Sequence, residues 1–338
     1  MKFGDTFNEY LRGEQECFLE KCSHVEYKQL KKVLKSCRKC RATSASTCVE
    51  EDDHNNTNND GGGSSELCMY ESCSLCDQKF FSELMKEASE IAGCFSSRVR
   101  RLLNLHVSTG MQRYVLRIRH CFTNDQQIMI QQGRMLIDYV TMNAIAIRKI
   151  LKKYDKVHSS VNGRNFKSKL RAEHIELLQS PWLIELGAFY INFNGSNGVS
   201  GEFVDQFSCD LESDQPLMTL IVSDSVKLEY SLTCAVCLEI AFNPYALSCG
   251  HIFCKSCACS AASVMIFQGL KAAEPKCKCP VCREVGVYAN PIHMIELDLL
   301  LKNRRKDYWK ERMLEERSEM VKQSKEYWDS QTKYVIGY

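Results

Sequence analysis

Eight residues between 234 and 282 fall in couples with the spacing of metal ligands: Cys234 and Cys237, Cys249 and His251, Cys254 and Cys257, Cys279 and Cys282. In pattern form they read C-x2-C, C-x-H, C-x2-C and C-P-x-C. A single C-x2-C couple fits a redox dithiol, a metal site or chance, but four couples in series, one of them containing a histidine, fit two tetrahedral zinc sites. Sites closed by four protein ligands keep no position for water, so their ions are structural and do no Lewis-acid chemistry. A segment this short buries too little apolar surface to fold alone, whereas a structural zinc site contributes on the order of 10 kcal/mol or more of apparent folding free energy. Chelation should therefore unfold it.

A second constellation is cationic. In 27–35, helical spacing of about 100° per residue puts Leu30, Val33 and Leu34 on one side and Lys28, Lys31, Lys32 and Lys35 on the other, with Tyr27 at the border. Further on, Lys149, Lys152, Lys153 and Lys156 occupy positions i, i+3, i+4 and i+7, one narrow stripe, while Ile147, Ile150, Leu151 and Tyr154 face away. Four ammonium groups so placed repel one another, and no acid at i+4 neutralises them. A polyanion is the partner such a stripe fits.

These residues must be positioned by a chain of 338 residues, long enough for two or three domains. The 44 basic and 42 acidic residues leave a net charge of +2, and without aromatics interleaved among the lysines no nucleic-acid partner is expected. No apolar run reaches membrane-spanning length and no signal-peptide core follows Met1, so the sequence reads as intracellular, in cytosol or nucleus, with at most peripheral recruitment to the plasma membrane. The 20 cysteines then belong to a reducing compartment where thiols persist.

The expected class is mainly α. Residues 1–40 predict two helical pieces with a turn near Gly13 or Cys22 to His24; 42–66 is a polar, asparagine- and glycine-rich insertion expected to be disordered. Cys37, Cys40, Cys73 and Cys76 flank it and read as free thiols. Long helices are predicted over 80–106, around Met111 to Cys121, and up to Lys156. The connector 161–229 predicts a helical hairpin (172–179, then 181–190), a loop over 192–200 and strands over 217–230. Ile292 to about Tyr327 predicts one long helix, which would serve as a partner helix or a homo-oligomer seam.

The metal-ligand couples resemble the C3HC4 RING finger of ubiquitin ligases. The resemblance implies that Cys234, Cys237, Cys254 and Cys257 share one zinc ion, and that Cys249, His251, Cys279 and Cys282 share the other. It also implies that Val236 and Pro280 contact an E2 conjugating enzyme and that Arg283 is the basic linchpin holding E2 and ubiquitin together. The tryptophan many RINGs carry after the sixth ligand is absent, the stretch 259–264 reading Cys-Ser-Ala-Ala-Ser-Val.

Met-Lys-Phe-Gly at the start, Tyr-Lys-x-Leu-Lys-Lys after it, and Lys-Ile-Leu-Lys-Lys-Tyr-Asp-Lys further on resemble the SPX domain. That family is a helical hairpin on a long-helix bundle and binds inositol polyphosphates and pyrophosphates. By this resemblance Tyr27, Lys31 and Lys153 form the central phosphate cluster, Lys149, Lys152 and Lys156 the adjoining surface, and Lys2 and Lys28 assist. The combined architecture is 1–160 SPX, 161–229 connector, 230–288 RING and 289–338 helical tail. It resembles the plant nitrogen limitation adaptation ubiquitin ligases, which implies membrane phosphate transporters as substrates, regulation by phosphate and nitrate status, and no covalent ubiquitin intermediate on this chain.

Overall fold

The computed structural model describes residues 3–13, 19, 22–34, 74–107, 124–158, 160–197, 207–223 and 226–337. The insertion 42–66, the stretch 111–121, Lys2, Lys35, Cys37, Cys40 and Cys73 lie outside them, as does the side chain of Cys76. The described chain is mainly helical with two small sheets and forms two compact units, Met1–Cys94 with Met142–Arg171, and Phe95–Thr141 with Ala172–Tyr338.

The first unit contains α1 (Phe3–Gly13), α2 (27–34), the first part of α3 (Ser74–Val107), the last part of α4 (Asn124–His158) and most of α5 (Asn162–Ala172). On α3 the residues Phe80, Leu84, Ala88 and Ile91 recur at three or four positions and are fully buried. Tyr154 of α4 stacks on Phe80 with ring centroids 4.8 Å apart and donates a hydrogen bond to Asp77.

The lead-in to α2 is held by side chains of both long helices. Ser23 Oγ donates to Glu90 (2.9 Å), the Glu26 amide to Glu87 (3.2 Å) and the Val25 amide to Asn143 Oδ1 (2.9 Å). Cys22 and Cys94 are joined as a disulfide in the same place, a pairing that the expectation of persistent thiols did not include.

Helix α5 was not expected where it lies; the sequence pointed to 172–179. Its apolar pattern is sparse, only Gly163, Phe166 and Leu170 being buried. What docks it is contact: the Gly163 amide donates to Asp155 Oδ1 (2.6 Å), and a Cβ on Gly163 would sit 2.7 Å from the Leu151 carbonyl oxygen. The 172–179 segment is instead a reversal through His174, whose φ is +58°, followed by a single 3-10 turn at Leu177–Gln179.

In the second unit α6 (Pro181–Asn197) is apolar on all sides and buried from Trp182 to Tyr190. It extends past Tyr190 to Asn197, into the stretch 192–200 expected to be a loop. It packs on the antiparallel meander β1 (Phe207–Asp210), β2 (Leu217–Ser223), β3 (Val226–Ser231), so closely that a Cβ on Gly187 would lie 2.7 Å from Met218 Sδ and Phe207 Cδ1. The segment that follows, which holds the cysteine couples, has a second sheet of order β5-β4-β6, from β4 (Pro244–Ala246), β5 (Ile252–Cys254) and β6 (Ile292–His293), with α7 (Lys255–Ala261) after β5.

The long helix expected after it is two helices, α8 (Ile295–Arg304) and α9 (Lys306–Ile336), broken at Arg305. Arg305 leaves helical backbone (φ −125°, ψ 57°), and its guanidinium donates to the Leu211 carbonyl (2.6 Å). Trp309 Nε1 donates back to Asp298 (3.1 Å), closing the elbow.

Helix α8 has no side-chain cap of its own. Its orphan amides at Glu296 and Leu297 are taken by the carboxyl group of Glu185, near the start of α6, at 3.0 Å each. Burial pushes the Glu185 carboxyl up to about 8 against the two amide hydrogen bonds that lower it. A carboxyl raised in the fold stabilises most below its unfolded value near 4.5, and that stability is lost as pH rises through about 8. The melting temperature of the zinc-loaded chain is expected to fall between pH 6.5 and 8.5, and Glu185→Gln, though less stable at every pH, is expected to show a shallower fall. An equal slope in the two proteins would remove Glu185 as its cause.

Candidate metal centres and polycationic face

The two Cys-x2-Cys knuckles at 234–237 and 279–282 have the same backbone. The Leu238 amide donates to the Cys234 carbonyl (2.8 Å) and the Cys234 amide to the Glu239 carbonyl (2.8 Å); the Arg283 amide donates to the Cys279 carbonyl and the Cys279 amide to the Glu284 carbonyl, both at 2.9 Å. Isolated bridges Thr233–Ile240 and Lys278–Val285 close the two ends. The repeat is legible as Cys-Ala-Val-Cys-Leu-Glu against Cys-Pro-Val-Cys-Arg-Glu. Both knuckles turn through the residue after the second cysteine in the left-handed region, Leu238 at φ +64° and Arg283 at φ +60°. Side chains rarely tolerate that conformation, which costs about 1–2 kcal/mol outside glycine.

The other ligands come from the sheet and helix between the knuckles. Cys249 and His251 flank Gly250 (φ +83°) in the β4–β5 turn, Cys254 ends β5 and Cys257 lies in the first turn of α7. In space they sort into Cys234, Cys237, Cys254, Cys257 and into Cys249, His251, Cys279, Cys282, with the ligand atoms of each set within 4.8 Å of one another. This is the crossed pairing implied by the RING resemblance.

The distances suit zinc. Tetrahedral bonds of about 2.3 Å to sulfur and 2.0 Å to nitrogen require edges of about 3.8 Å between two sulfurs and about 3.5 Å between sulfur and nitrogen. Cys237 Sγ lies 3.7 Å from Cys254 Sγ, and His251 Nδ1 lies 3.4 Å from Cys249 Sγ and 3.7 Å from Cys279 Sγ. The Nδ1 atom is therefore the one presented to the second site. Hydrogen bonds with Cys254 and Cys257 pull the Cys234 thiol down, while the reciprocal hydrogen bonds push Cys254 up, as expected of sulfurs close enough to share protons. A divalent cation deprotonates all four. Backbone amides already point at the sulfurs that would carry the charge: Phe242 to Cys254 (3.3 Å), Cys254 to Cys234 (3.4 Å) and Val281 to Cys279 (3.4 Å).

Apolar side chains stand at the knuckle surface. Val236 is 46% exposed and its counterpart Val281 47%; Pro280 and Arg283 are exposed beside them. Val281 was not singled out from sequence, although the knuckle repeat points to it. Where RINGs commonly have a tryptophan, α7 ends at Ala261, and the nearest aromatic downstream is Phe267, set edge-on to Tyr327 of α9 at 5.7 Å.

In the first unit, Tyr27 begins the described part of α2. Its ring is edge-on to Phe3 at 5.5 Å, and the Lys149 ammonium lies over the same Phe3 ring at 4.9 Å. Phe3 thus brings Tyr27 and Lys149, 122 positions apart in sequence, to one neighbourhood. Lys28, Lys149, Lys152 and Lys156 are exposed and Lys31 and Lys153 half-buried, while Ile147, Ile150, Leu151 and Tyr154 are buried as their spacing requires. No acid pairs with Lys149, Lys152 or Lys156 among the described residues.

A family model described as "RING-type zinc-finger" matches residues 234–278, ending one residue before the second knuckle. Over all of both chains, the sequence is 62% identical to "Probable E3 ubiquitin-protein ligase BAH1-like 1" of Oryza sativa subsp. indica. It is 63% identical, again over both full lengths, to "Probable E3 ubiquitin-protein ligase BAH1-like" of Arabidopsis thaliana, and 41% identical to "E3 ubiquitin-protein ligase NLA" of the same plant. No solved structure matches the chain. No helix among the described residues is long and apolar enough to cross a membrane.

The knuckle geometry sets a stability test. Leu238→Gly removes the left-handed cost and returns part of it as chain entropy, so stability is expected to hold or rise by up to about 1 kcal/mol. Leu238→Val, β-branched at a positive φ, is expected to lower it. Denaturant melts of the zinc-loaded variants check both, and a Gly variant clearly less stable than the parent would contradict the knuckle account.

Proposed function

Because the chain belongs to the NLA and BAH1-like family of plant RING-type E3 ubiquitin ligases, we propose that its RING docks a thioester-charged E2 through Val236 and Pro280, that Arg283 braces E2 against ubiquitin, and that its SPX-like unit senses an inositol polyphosphate or pyrophosphate. The ligase activity itself follows from the family. The finer assignments rest on the residues.

One observation carries the reading of the ligase face: an arginine occupies a backbone position that favours glycine. The matching knuckle has Leu238 there, and neither side chain is needed to close its turn. Arg283 is exposed next to the last ligand, where its planar set of donors can meet carbonyl oxygens on two partners at once. Zinc in the two closed sites supplies rigidity only. The thiolates that hold it are unavailable as nucleophiles, so ubiquitin passes from the E2 thioester to a substrate amine without bonding to this chain.

The ligand reading is supported by the bridge from Tyr27 through Phe3 to Lys149. Inorganic phosphate meets only part of a cluster spread over α2 and α4, whereas an inositol pyrophosphate reaches Tyr27, Lys31 and Lys153 and also Lys149, Lys152 and Lys156. Lys2, outside the described residues, and Lys28 complete the proposed set. The substrates proposed are membrane phosphate transporters, with ligand binding deciding which substrate is taken, in keeping with control by phosphate and nitrate status.

Two measurements check this. Arg283→Gly is expected to keep two zinc ions per chain and equal or better stability, yet to discharge ubiquitin from a charged E2 at least about tenfold more slowly; parental discharge would remove the linchpin. Calorimetry on the full chain should give far tighter binding of inositol hexakisphosphate or a pyrophosphate than of phosphate, weakening as salt rises. Equal affinity for both, or no loss in Lys149→Ala with Lys153→Ala, would remove the sensor.

A further inference from the structure

Helix α9 runs along the zinc-finger segment instead of leaving it. Tyr308 Oη donates to the Ile240 carbonyl (2.6 Å), Trp309 meets Phe242 edge-on at 5.8 Å, Asn243 Nδ2 donates to Glu316 (2.8 Å), and the Ile266 amide donates to Gln323 (3.0 Å). In the middle of this stripe stands Arg312, its side chain only 20% exposed. Its guanidinium approaches Glu315 at 2.8 Å, Glu239 at 3.6 Å and Cys254 Sγ at 4.0 Å. Its Nε is buried and has no hydrogen-bond partner among the described residues.

Charge counting gives this placement a purpose. A zinc ion with four thiolates carries −2, one with three thiolates and a neutral imidazole −1. The four-cysteine site therefore has the greater need of a nearby cation, and Cys254, which belongs to it, is the sulfur that Arg312 faces. A guanidinium stays charged when half-buried and is weakly hydrated, so it is suited to lie against a thiolate.

We propose that Arg312 is an outer-sphere positioning residue of the four-cysteine zinc site, offsetting the charge on Cys254 and making helix α9 part of that site. The inference rests on the two-zinc reading above. Removing an outer-sphere partner typically weakens metal affinity by about 10–100-fold, and the loss should fall on one ion of the two. An Arg312 that served only its ion pairs with Glu315 and Glu239 would have no influence on metal release.

The test uses the full-length chain loaded with two zinc ions and follows transfer of zinc to the chromogenic chelator 4-(2-pyridylazo)resorcinol. Arg312→Gln is expected to release one ion at least about tenfold faster and the other at the parental rate. Arg312→Lys, which keeps the charge, is expected to recover most of the difference. Tyr308→Phe, which removes a contact of α9 but not the charge, should stay within about twofold of the parent. Parental release from Arg312→Gln, equal acceleration of both ions, or acceleration by Tyr308→Phe as large as that of Arg312→Gln would overturn the proposal. A parent chain holding fewer than two zinc ions would overturn the two-site reading instead, so the two failures are distinguishable.

Discussion

Crossed metal ligation is the constraint on which the ligase half depends. Each four-ligand set takes one couple from a knuckle and one from the intervening sheet and helix, so ions held there would tie together segments up to 33 residues apart, from 249 to 282. The backbone bonds around Leu238 and Arg283 turn the two cysteines of each knuckle toward their ligand set. Zinc held by these two sets would contribute its binding free energy to folding. Val236, Pro280, Val281 and Arg283 stand exposed on the two knuckles that carry these ligands.

The zinc module is also built into its surroundings. Glu185 in α6 caps α8, the Arg305 elbow turns the chain, and α9 returns across the module to place Arg312 beside Cys254. His174, at the reversal before α6, accepts or donates a 2.7 Å hydrogen bond with Glu284, the residue after Arg283. Elements on both sides of the finger therefore bear on its two knuckles. In the other unit the same economy applies on a smaller scale: Asn143, Glu87 and Glu90 hold the lead-in to α2, and Phe3 relates Tyr27 to Lys149.

What could be read from sequence was what periodic or chemically specific patterns encode. The ligand couples lie in space in the two groups that the RING resemblance implied, and the lysine stripe of α4 is backed by the buried residues that helical periodicity assigned to its inner face. The errors fall where a few long-range contacts decide. Helix α5 has three buried residues and is held by the close fit of Gly163; α6 outruns its apolar core by several residues; the expected single tail helix breaks where Arg305 finds the Leu211 carbonyl. The Cys22–Cys94 pairing joins cysteines 72 apart with no local spacing rule to announce it. Arg312 was invisible for the same reason, lying 58 positions from the sulfur that gives it meaning.

The claim that this chain acts by holding a charged E2, with zinc as scaffold and no covalent role of its own, is tested most directly by single-turnover discharge of ubiquitin from a thioester-charged E2 onto lysine, run on non-reducing gels with and without chelator. The account predicts faster discharge in the presence of the zinc-loaded chain, loss of that acceleration on chelation, and no thiol-sensitive ubiquitin adduct on this chain at any time point. A reducible adduct on this chain, or acceleration that survives removal of both ions, would contradict it.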